Sequence, residues 1–253
     1  MSGNQQLRVF ILSALLCGTC VAANYPLKTS TNGRYLVDQN DVPFPILARA
    51  AWFVISLPVL DYQTFIMDSV SRGYNSIEMH VLNHDPRGNN PPFNGNGDLP
   101  FQKRLDGANW NGILEYSNTN IEAPDFSTPN EAYWSYVDSF LDYCDSKGVV
   151  VFFFPSYVGY AGGEQGWMQE MTANGTAKMN AYGAFLSNRY KNQKNLVWMM
   201  GGDKGSFTAA QADVEGALLS GLQSVTGQQS TFFSAEWDSG MNATDQSVFG
   251  TSM

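Results

Sequence analysis

The feature that most constrains the fold is a regular alternation of short apolar runs with helical patterns. Each run has the length of one strand, and a stretch with apolar residues at helical spacing lies between most runs and the next. This alternation is typical of a parallel sheet covered by helices. The predicted strands span residues 45–50, 76–81, 149–154, 196–200 and 231–235.

Local signals place the predicted helices and a short hairpin. A hairpin is predicted over residues 33–44, before the first strand. Thr128 with Glu131 forms a capping box that starts the second helix, and Thr208 with Gln211 forms another that starts the fourth. The apolar positions of the first three helices include Tyr62, Phe65, Ile66, Val70, Tyr133, Tyr136, Val137, Phe140, Met179, Tyr182, Phe185 and Leu186.

Two parallel architectures fit this pattern, an open doubly wound sheet and a (β/α)8 barrel. No Gly-x-Gly-x-x-Gly turn follows the first strand and no phosphate-loop motif occurs, which disfavours the nucleotide-binding form of the open sheet. Polar and aromatic residues instead follow the strands, where barrel active sites lie. We predict an α/β fold, an incomplete (β/α)8 TIM barrel with about five of eight strands. The polar stretch 82–127 is predicted to be a functional or disordered loop.

The first 23 residues have the pattern of a secretory signal peptide. Arg8 precedes an apolar run at residues 9–16, and small residues precede a cleavage site before Asn24. That run is too short to span a bilayer, and a retained anchor is the alternative. We therefore predict that residues 24–253 form a secreted or periplasmic protein, the N-terminal part of a barrel, without membrane contact after cleavage.

Composition restricts the partners. The formal net charge is -9, from 14 Lys and Arg against 23 Asp and Glu, and the absence of a basic cluster disfavours nucleic-acid binding. Removal of the signal peptide leaves Cys144 without a disulfide partner in the chain, and its helical position favours a packing role. Asn174 and Asn242 are N-glycosylation sequons. The oligomeric state is left open.

Two carboxylates follow predicted strands, and glycosidases use pairs of carboxyl groups. Asp203 comes after Gly201 and Gly202 beyond the fourth strand, where it can act as a general acid or cap a loop. The two glycines allow a tight turn and close approach of a ligand. Glu236 follows the fifth strand and can serve as a second catalytic carboxyl, a substrate hydrogen-bonding group or a surface acid.

Histidines and aromatic residues are the candidate binding groups. His84 follows the second strand and is predicted to contact substrate or to support its loop. A metal site is disfavoured because the sequence contains no His-Glu-x-x-His pattern. A serine hydrolase is disfavoured because the sequence contains no Gly-x-Ser-x-Gly elbow. No cofactor is predicted. Flat aromatic rings suit the C–H face of a sugar. The predicted sugar-binding aromatics are Trp52, Tyr157, Tyr160, Trp167 and Trp237.

Three segments carry a specific family likeness. They read Pro-Asp-Phe-Ser-Thr-Pro-Asn-Glu-Ala-Tyr at 124–133, Gly-Tyr-Ala-Gly-Gly-Glu-Gln-Gly-Trp at 159–167 and Trp-Met-Met-Gly-Gly-Asp at 198–203. The chain resembles the apiosidase-like glycoside hydrolases, secreted barrel enzymes that act on plant polysaccharide side chains or other glycans. The resemblance implies a carbohydrate substrate, no cofactor, Asp203 as the catalytic acid/base, and His84 at the family's histidine position.

Two features depart from the family pattern. The family's nucleophile is a Glu after strand seven, which at about 30 residues per βα unit falls beyond residue 253. Residues 48–52 read Ala-Arg-Ala-Ala-Trp where the family has Gly-Asp-Thr-Ala-Trp, so Arg49 replaces an acid that we expect at the site rim. We therefore expect a fragment that is inactive alone on aryl glycosides. A non-catalytic glycan-binding paralogue and a different hydrolase using Asp203 with Glu236 are the alternatives, and the sugar and linkage are left open.

Overall fold

Parallel strands separated by helices make up most of the structure. The computed structural model describes residues 23–84, 92–113, 122–160 and 165–238. An antiparallel hairpin of β1 (Lys28–Thr29) and β2 (Leu36–Val37) comes first. The strands of the main sheet are β3 (Ala48–Ala50), β4 (Ser76–His80), β5 (Val150–Phe154), β6 (Leu196–Gly201) and β7 (Phe233–Glu236).

Strand order separates the two predicted architectures. The main sheet has the order β3-β4-β5-β6-β7, and each strand is parallel to its neighbours. A doubly wound sheet reverses its strand order at a switch point, whereas each strand of a (β/α)8 barrel lies beside the next along the chain. The observed order is that of a partial barrel, so the predicted fold class is confirmed.

Of the four helices in the described residues, the second and the fourth begin close to their predicted starts. The four helices are α1 (Val59–Ser71), α2 (Glu131–Ser146), α3 (Met168–Arg189) and α4 (Ala209–Gln223), and the capping box of Thr208 and Gln211 is present. The predicted cap at Thr128 is wrong. Asn130 caps α2 instead, because the preceding residue, Pro129, is held in an extended bridge to Phe101.

Alternate residues of each strand face different surroundings. Ile77 and Met79 of β4 pack in the large core between the sheet and the helices. Val150 and Val197 face the other side of the sheet, where Leu27 from the segment before β1 covers them. This inner face is therefore closed near the amino ends of the strands, and polar side chains occupy it near the carboxyl ends.

The polar stretch between β4 and α2 is packed onto the core in its described parts, residues 92–113 and 122–130. Phe101, Trp110 and Phe126 are buried there, and an isolated antiparallel bridge joins Arg104 to Pro124. Burial of three aromatic side chains holds this stretch in place, so disorder is the wrong alternative for these parts. Residues 85–91 and 114–121 lie outside the described residues.

Cys144 is fully buried in α2, as expected for a side chain with a packing role. Burial also raises the pKa of its thiol. Residues 1–22 of the predicted signal peptide and Asn242 lie outside the described residues. Across the described parts, no helix combines the length and apolar character needed to cross a membrane.

The sequon at Asn174 is blocked by the fold. Asn174 is buried, and its side-chain amide donates to the carbonyl oxygens of Pro124 and Glu170 while its oxygen accepts from the Phe126 amide. A glycan replaces one hydrogen of the side-chain amide, so it would break at least one of the two hydrogen bonds that this amide donates, at a buried position. Asn174 therefore serves to tie the stretch before α2 to α3.

Glycines allow α3 and α4 to pack with their backbones in close contact. A Cβ atom at Gly183 would lie 2.3 Å from the carbonyl oxygen of Leu218, and one at Gly221 would lie 2.2 Å from that of Asn180. Both distances are far below van der Waals contact, and the obstructing atoms are backbone. The helix pair therefore depends on the absence of side chains at these two positions.

Gly183→Ala is expected to destabilise the fold by about 1–3 kcal/mol, because the methyl group must push α4 away. Without the clash, replacing glycine by alanine inside a helix would stabilise the fold by up to about 1 kcal/mol. The sign of the change in the free energy of unfolding therefore shows whether the clash exists. Urea unfolding measures the effect, with Ser220→Ala on the exposed face of α4 as a near-neutral control. A rise in stability for Gly183→Ala would contradict the close helix contact.

Candidate active site

The turn after β6 places Asp203 at the carboxyl end of the sheet. Gly201 has a φ of +83°, and a Cβ atom there would lie 2.3 Å from the carbonyl oxygen of Glu236. The Gly202 amide donates to the same oxygen over 3.0 Å. The two glycines therefore allow the turn to pack directly against the end of β7. The space beside Gly201 that was predicted for a ligand is occupied by the protein itself.

Asp203 has a hydrogen-bond partner in the loop after β5. The Tyr157 hydroxyl donates to Asp203 Oδ2 over 2.9 Å. A side chain at Gly202 would collide with the Tyr157 ring, since its Cβ would lie 2.8 Å away. Burial, followed by the interaction with Asp203, raises the pKa of Tyr157 well above its usual value. The phenol therefore stays protonated and remains a donor.

Three stacked rings lead away from this hydrogen bond, and we call Trp52, His80 and Tyr157 the aromatic stack. The His80 ring lies 4.2 Å from that of Tyr157 with 13° between their planes. On its other side it lies 5.7 Å from the Trp52 ring with 9° between planes. Trp52 Nε1 donates to Glu78 Oε1 over 2.7 Å, and Trp52 remains 44% exposed. The stack thus connects an exposed indole to Asp203.

His80 is the buried centre of the aromatic stack. Burial lowers the pKa of its imidazole to about 3, so the ring is neutral at physiological pH. Its Nε2 atom has no hydrogen-bond partner among the described residues, and Phe154 packs edge-on against the ring at 5.1 Å. Ring contacts therefore hold the imidazole in place.

The sequence reasoning missed Glu78 and His80 as site residues. Both lie on β4 at an i, i+2 spacing, which puts them on the same side of the sheet. Ile77, which precedes them, and Met79, which lies between them, face the helices. Polar residues at alternate positions of an otherwise apolar strand were the available signal, and they mark the inner face of the partial barrel.

Glu236 ends β7 and lies among other acidic groups. Burial is the main cause that raises its pKa to about 7, and the negative charges of Glu78 and Asp203 add to the effect. Glu236 is therefore largely protonated below neutral pH and can donate a hydrogen bond there. The predicted second carboxylate is thus electrostatically coupled to Asp203.

Glu78→Gln is expected to lower the pKa of Glu236, because it removes one negative charge while leaving an acceptor for Trp52. The side-chain carboxyl ¹³C resonance of Glu236, followed across pH by NMR, measures the shift. Asp41→Asn, which changes a carboxylate that pairs with Lys28 in the hairpin, is the matched control. If the pKa of Glu236 were the same in Glu78→Gln as in the wild type, the charge of Glu78 would not contribute to the raised pKa of Glu236.

Two predicted substrate contacts are buried side chains. His84 Nε2 lies 3.3 Å from Glu170 Oε1, and the His84 ring packs edge-on against Trp167 at 4.6 Å. Trp167 has no exposed surface, and its Nε1 donates to the carbonyl oxygen of Leu82. Neither ring offers a face to a sugar in this structure. We correct both assignments to internal support for the loops around the site.

Arg49 does not lie at the site rim. Its guanidinium pairs with Asp68 at 2.9 Å, donates to Ser69 and packs over the Phe65 ring at 4.3 Å, all on α1. In the sheet register Arg49 lies opposite Ile77, which faces the helices. The expected effect of Arg49 on the site is therefore wrong, because strand alternation directs its side chain to the outer face.

The remaining predicted aromatics have different environments. Tyr160, on the loop after β5, is 65% exposed and accessible to a ligand. Trp237 is partly buried, packs edge-on against Phe207 at 5.6 Å, and lies close to Gly201. The sugar-binding roles of Tyr160 and Trp237 stay predictions. Within the described ranges, no three His, Cys, Asp or Glu side chains converge on a common metal position.

Comparisons with known proteins agree with this geometry. Residues 30–248 match the family described as apiosidase-like, catalytic domain, and no curated protein gives a significant match. A family 5 glycoside hydrolase from Bacteroides vulgatus is 22% identical, with a TM-score of 0.61 over 84% of this chain and 39% of that one. A structure described as a glycoside hydrolase is 21% identical, with a TM-score of 0.61 over 85% and 41%.

A more distant structural match is a family 5 mannosidase from Rhizomucor miehei. It is 12% identical, with a TM-score of 0.53 over 85% of this chain and 56% of that chain. The chain spans about two fifths of the length of the first two structures. At these identities the matches establish a shared fold.

Proposed function

The chain belongs to the family of apiosidase-like catalytic domains, and we propose that it acts as a glycoside hydrolase module with Asp203 as the acid/base. The observation that carries the proposal is the placement of Asp203 at the carboxyl end of the sheet, bonded to Tyr157 beside the aromatic stack. A carboxyl group there can protonate a departing glycosidic oxygen. The exposed Trp52 indole offers a flat surface for the sugar ring.

Glycoside hydrolysis also needs a second carboxyl group, about 5 Å from the first for retention and about 6.5–9.5 Å for inversion. The family resemblance assigns the nucleophile to a Glu after strand seven, and we assign that role to no described residue. Glu236, with a pKa of about 7, is suited to hydrogen-bonding a sugar hydroxyl. We therefore propose that the 253-residue chain by itself binds glycosides and leaves aryl glycosides intact.

The proposed setting is extracellular. The apolar run and small-residue cleavage pattern at the start of the chain support secretion or export to a periplasm. The family resemblance supports plant-type polysaccharide side chains as substrate. Apiosides are therefore the first glycosides to test, within a panel of other pentosides.

External azide can test the acid function of Asp203 without relying on a nucleophile supplied by the protein. Azide forms a bond to the anomeric carbon as the bond from that carbon to the leaving oxygen breaks, and Asp203 transfers a proton to that oxygen. We expect the purified chain to bind phenyl glycosides saturably in calorimetry and to form glycosyl azide with added azide. Without azide, we expect phenol release at the buffer rate.

Each outcome of this experiment assigns the function. Trp52→Ala should lose binding, whereas Tyr35→Ala, in the exposed turn of the hairpin, should bind normally. Failure to bind any glycoside would contradict the proposal. Binding without glycosyl azide would favour the non-catalytic glycan-binding alternative. Rapid hydrolysis without azide would contradict the proposal that the chain leaves aryl glycosides intact, and would favour Asp203 with Glu236 as the catalytic pair.

A further inference from the structure

We propose that Tyr157 is a positioning residue for Asp203, and that stacking on His80 and Trp52 holds Tyr157 in that role. The inference rests on the proposed function of Asp203. It adds a residue that sets the direction of proton transfer without itself touching the glycosidic bond. Its basis is the continuous set of contacts from Glu78 through the aromatic stack to Asp203.

The hydrogen bond to Tyr157 distinguishes the two oxygens of Asp203. Oδ2 accepts from the Tyr157 hydroxyl at 2.9 Å. A carboxyl group that accepts at one oxygen keeps its proton on the other, because the phenol supplies the proton of the shared bond. Oδ1 is therefore the oxygen that would carry the catalytic proton. Rotation of the Asp203 side chain would have to break this hydrogen bond from Tyr157.

The stack keeps the Tyr157 ring from moving. His80 covers one face of the Tyr157 ring at 4.2 Å, and Phe154 packs against Tyr157 edge-on at 5.9 Å. Since burial holds the His80 pKa at about 3, the imidazole stays uncharged over the pH range of most assays. The support for Tyr157 therefore does not change with protonation in that range.

The far end of the stack is also fixed. Trp52 is exposed on one side, stacks on His80 at 5.7 Å on the other, and donates its indole N–H to Glu78. A sugar resting on Trp52 would thus contact the same rigid assembly that orients Asp203. This arrangement couples the place where the sugar binds to the oxygen that protonates the leaving group.

The test compares Tyr157→Phe with Tyr35→Phe. Tyr157→Phe keeps the stacked ring and removes only the hydroxyl, and Tyr35→Phe removes a hydroxyl from the exposed turn of the hairpin. In the azide reaction, Tyr157→Phe should lower kcat about tenfold with a phenol leaving group, the effect of one hydrogen bond to a charged group. With 2,4-dinitrophenol, which leaves without a proton, kcat should fall less than about twofold.

A second readout does not need turnover. Carbodiimide-driven amide labelling of Asp203, read by mass spectrometry of the folded chain, should become several-fold faster in Tyr157→Phe and stay unchanged in Tyr35→Phe. Unchanged Asp203 labelling in Tyr157→Phe, or equal loss of kcat with both leaving groups, would overturn the proposal. If the wild-type chain forms no glycosyl azide, the proposed function fails, and the labelling result alone decides whether Tyr157 positions Asp203.

Discussion

Asp203→Asn is expected to lower azide-dependent conversion of phenyl glycosides by a factor of about 10²–10⁴, the usual contribution of a general acid. The amide preserves the size of the side chain and can still accept from Tyr157, but it cannot transfer a proton. Conversion of 2,4-dinitrophenyl glycosides should be nearly unaffected, because that leaving group departs as a stable anion. The ratio of the two rates therefore isolates proton transfer from binding.

The measurement is the rate of glycosyl azide formation by mass spectrometry at saturating glycoside. Asp238→Asn, which changes an exposed acid just after β7, is the matched control and should retain the wild-type ratio. If Asp203→Asn slowed both substrates equally, its role would be structural or in binding. If it slowed neither, Asp203 would not be the acid, and Glu236 would become the first residue to test.

Glu215→Met is expected to stabilise the folded chain by several kcal/mol at pH 8 and far less near pH 4.5. Glu215 is fully buried on α4, and neither carboxyl oxygen has a hydrogen-bond partner among the described residues. Burial raises its pKa from 4.5 to about 8. Methionine fills a similar volume without a group that must keep its proton.

The direction of the pH effect follows from proton binding in the two states. Between pH 4.5 and about 8 the unfolded chain has lost the Glu215 proton while the folded chain retains it. Since the unfolded state binds fewer protons, the free energy of unfolding falls by about 1.4 kcal/mol for each pH unit. Below pH 4.5 both states are protonated, and this loss of stability disappears.

Urea unfolding at pH 4.5, 6 and 8 measures the effect. The difference between Glu215→Met and the wild type should grow with pH, and Asp213→Asn on the exposed side of the same helix should show no such growth. Equal stabilisation by Glu215→Met at all three pH values would mean that the Glu215 carboxyl titrates alike in the folded and unfolded chains.

The sequence was sufficient to predict the order and type of the main elements. Apolar runs separated by helical patterns predicted all five parallel strands, since each pattern depends on residues close together in the chain. Helix starts depend in addition on contacts with distant parts of the chain. Thr128 has the same capping pattern as Thr208, yet only Thr208 caps a helix, because Phe101 pairs with Pro129 from a distant part of the chain.

The site was only partly predictable for the same reason. Asp203 and Glu236 were singled out because each follows a predicted strand. His80 was passed over because its partners, Trp52 and Tyr157, come from the ends of two other strands and meet it only in the folded sheet. Arg49 was wrongly predicted to lie at the site rim, because comparison with a family sequence motif does not show on which face of β3 a side chain lies.

The most direct test of the central claim is a crystal structure of the chain with a phenyl glycoside bound. We expect an Asp203 carboxyl oxygen within about 3.2 Å of the glycosidic oxygen. We also expect the sugar ring over Trp52 and the Tyr157 hydroxyl on Asp203 Oδ2. A sugar bound elsewhere, or one whose glycosidic oxygen meets Glu236 with Asp203 out of reach, would contradict the assignment of Asp203 as the acid.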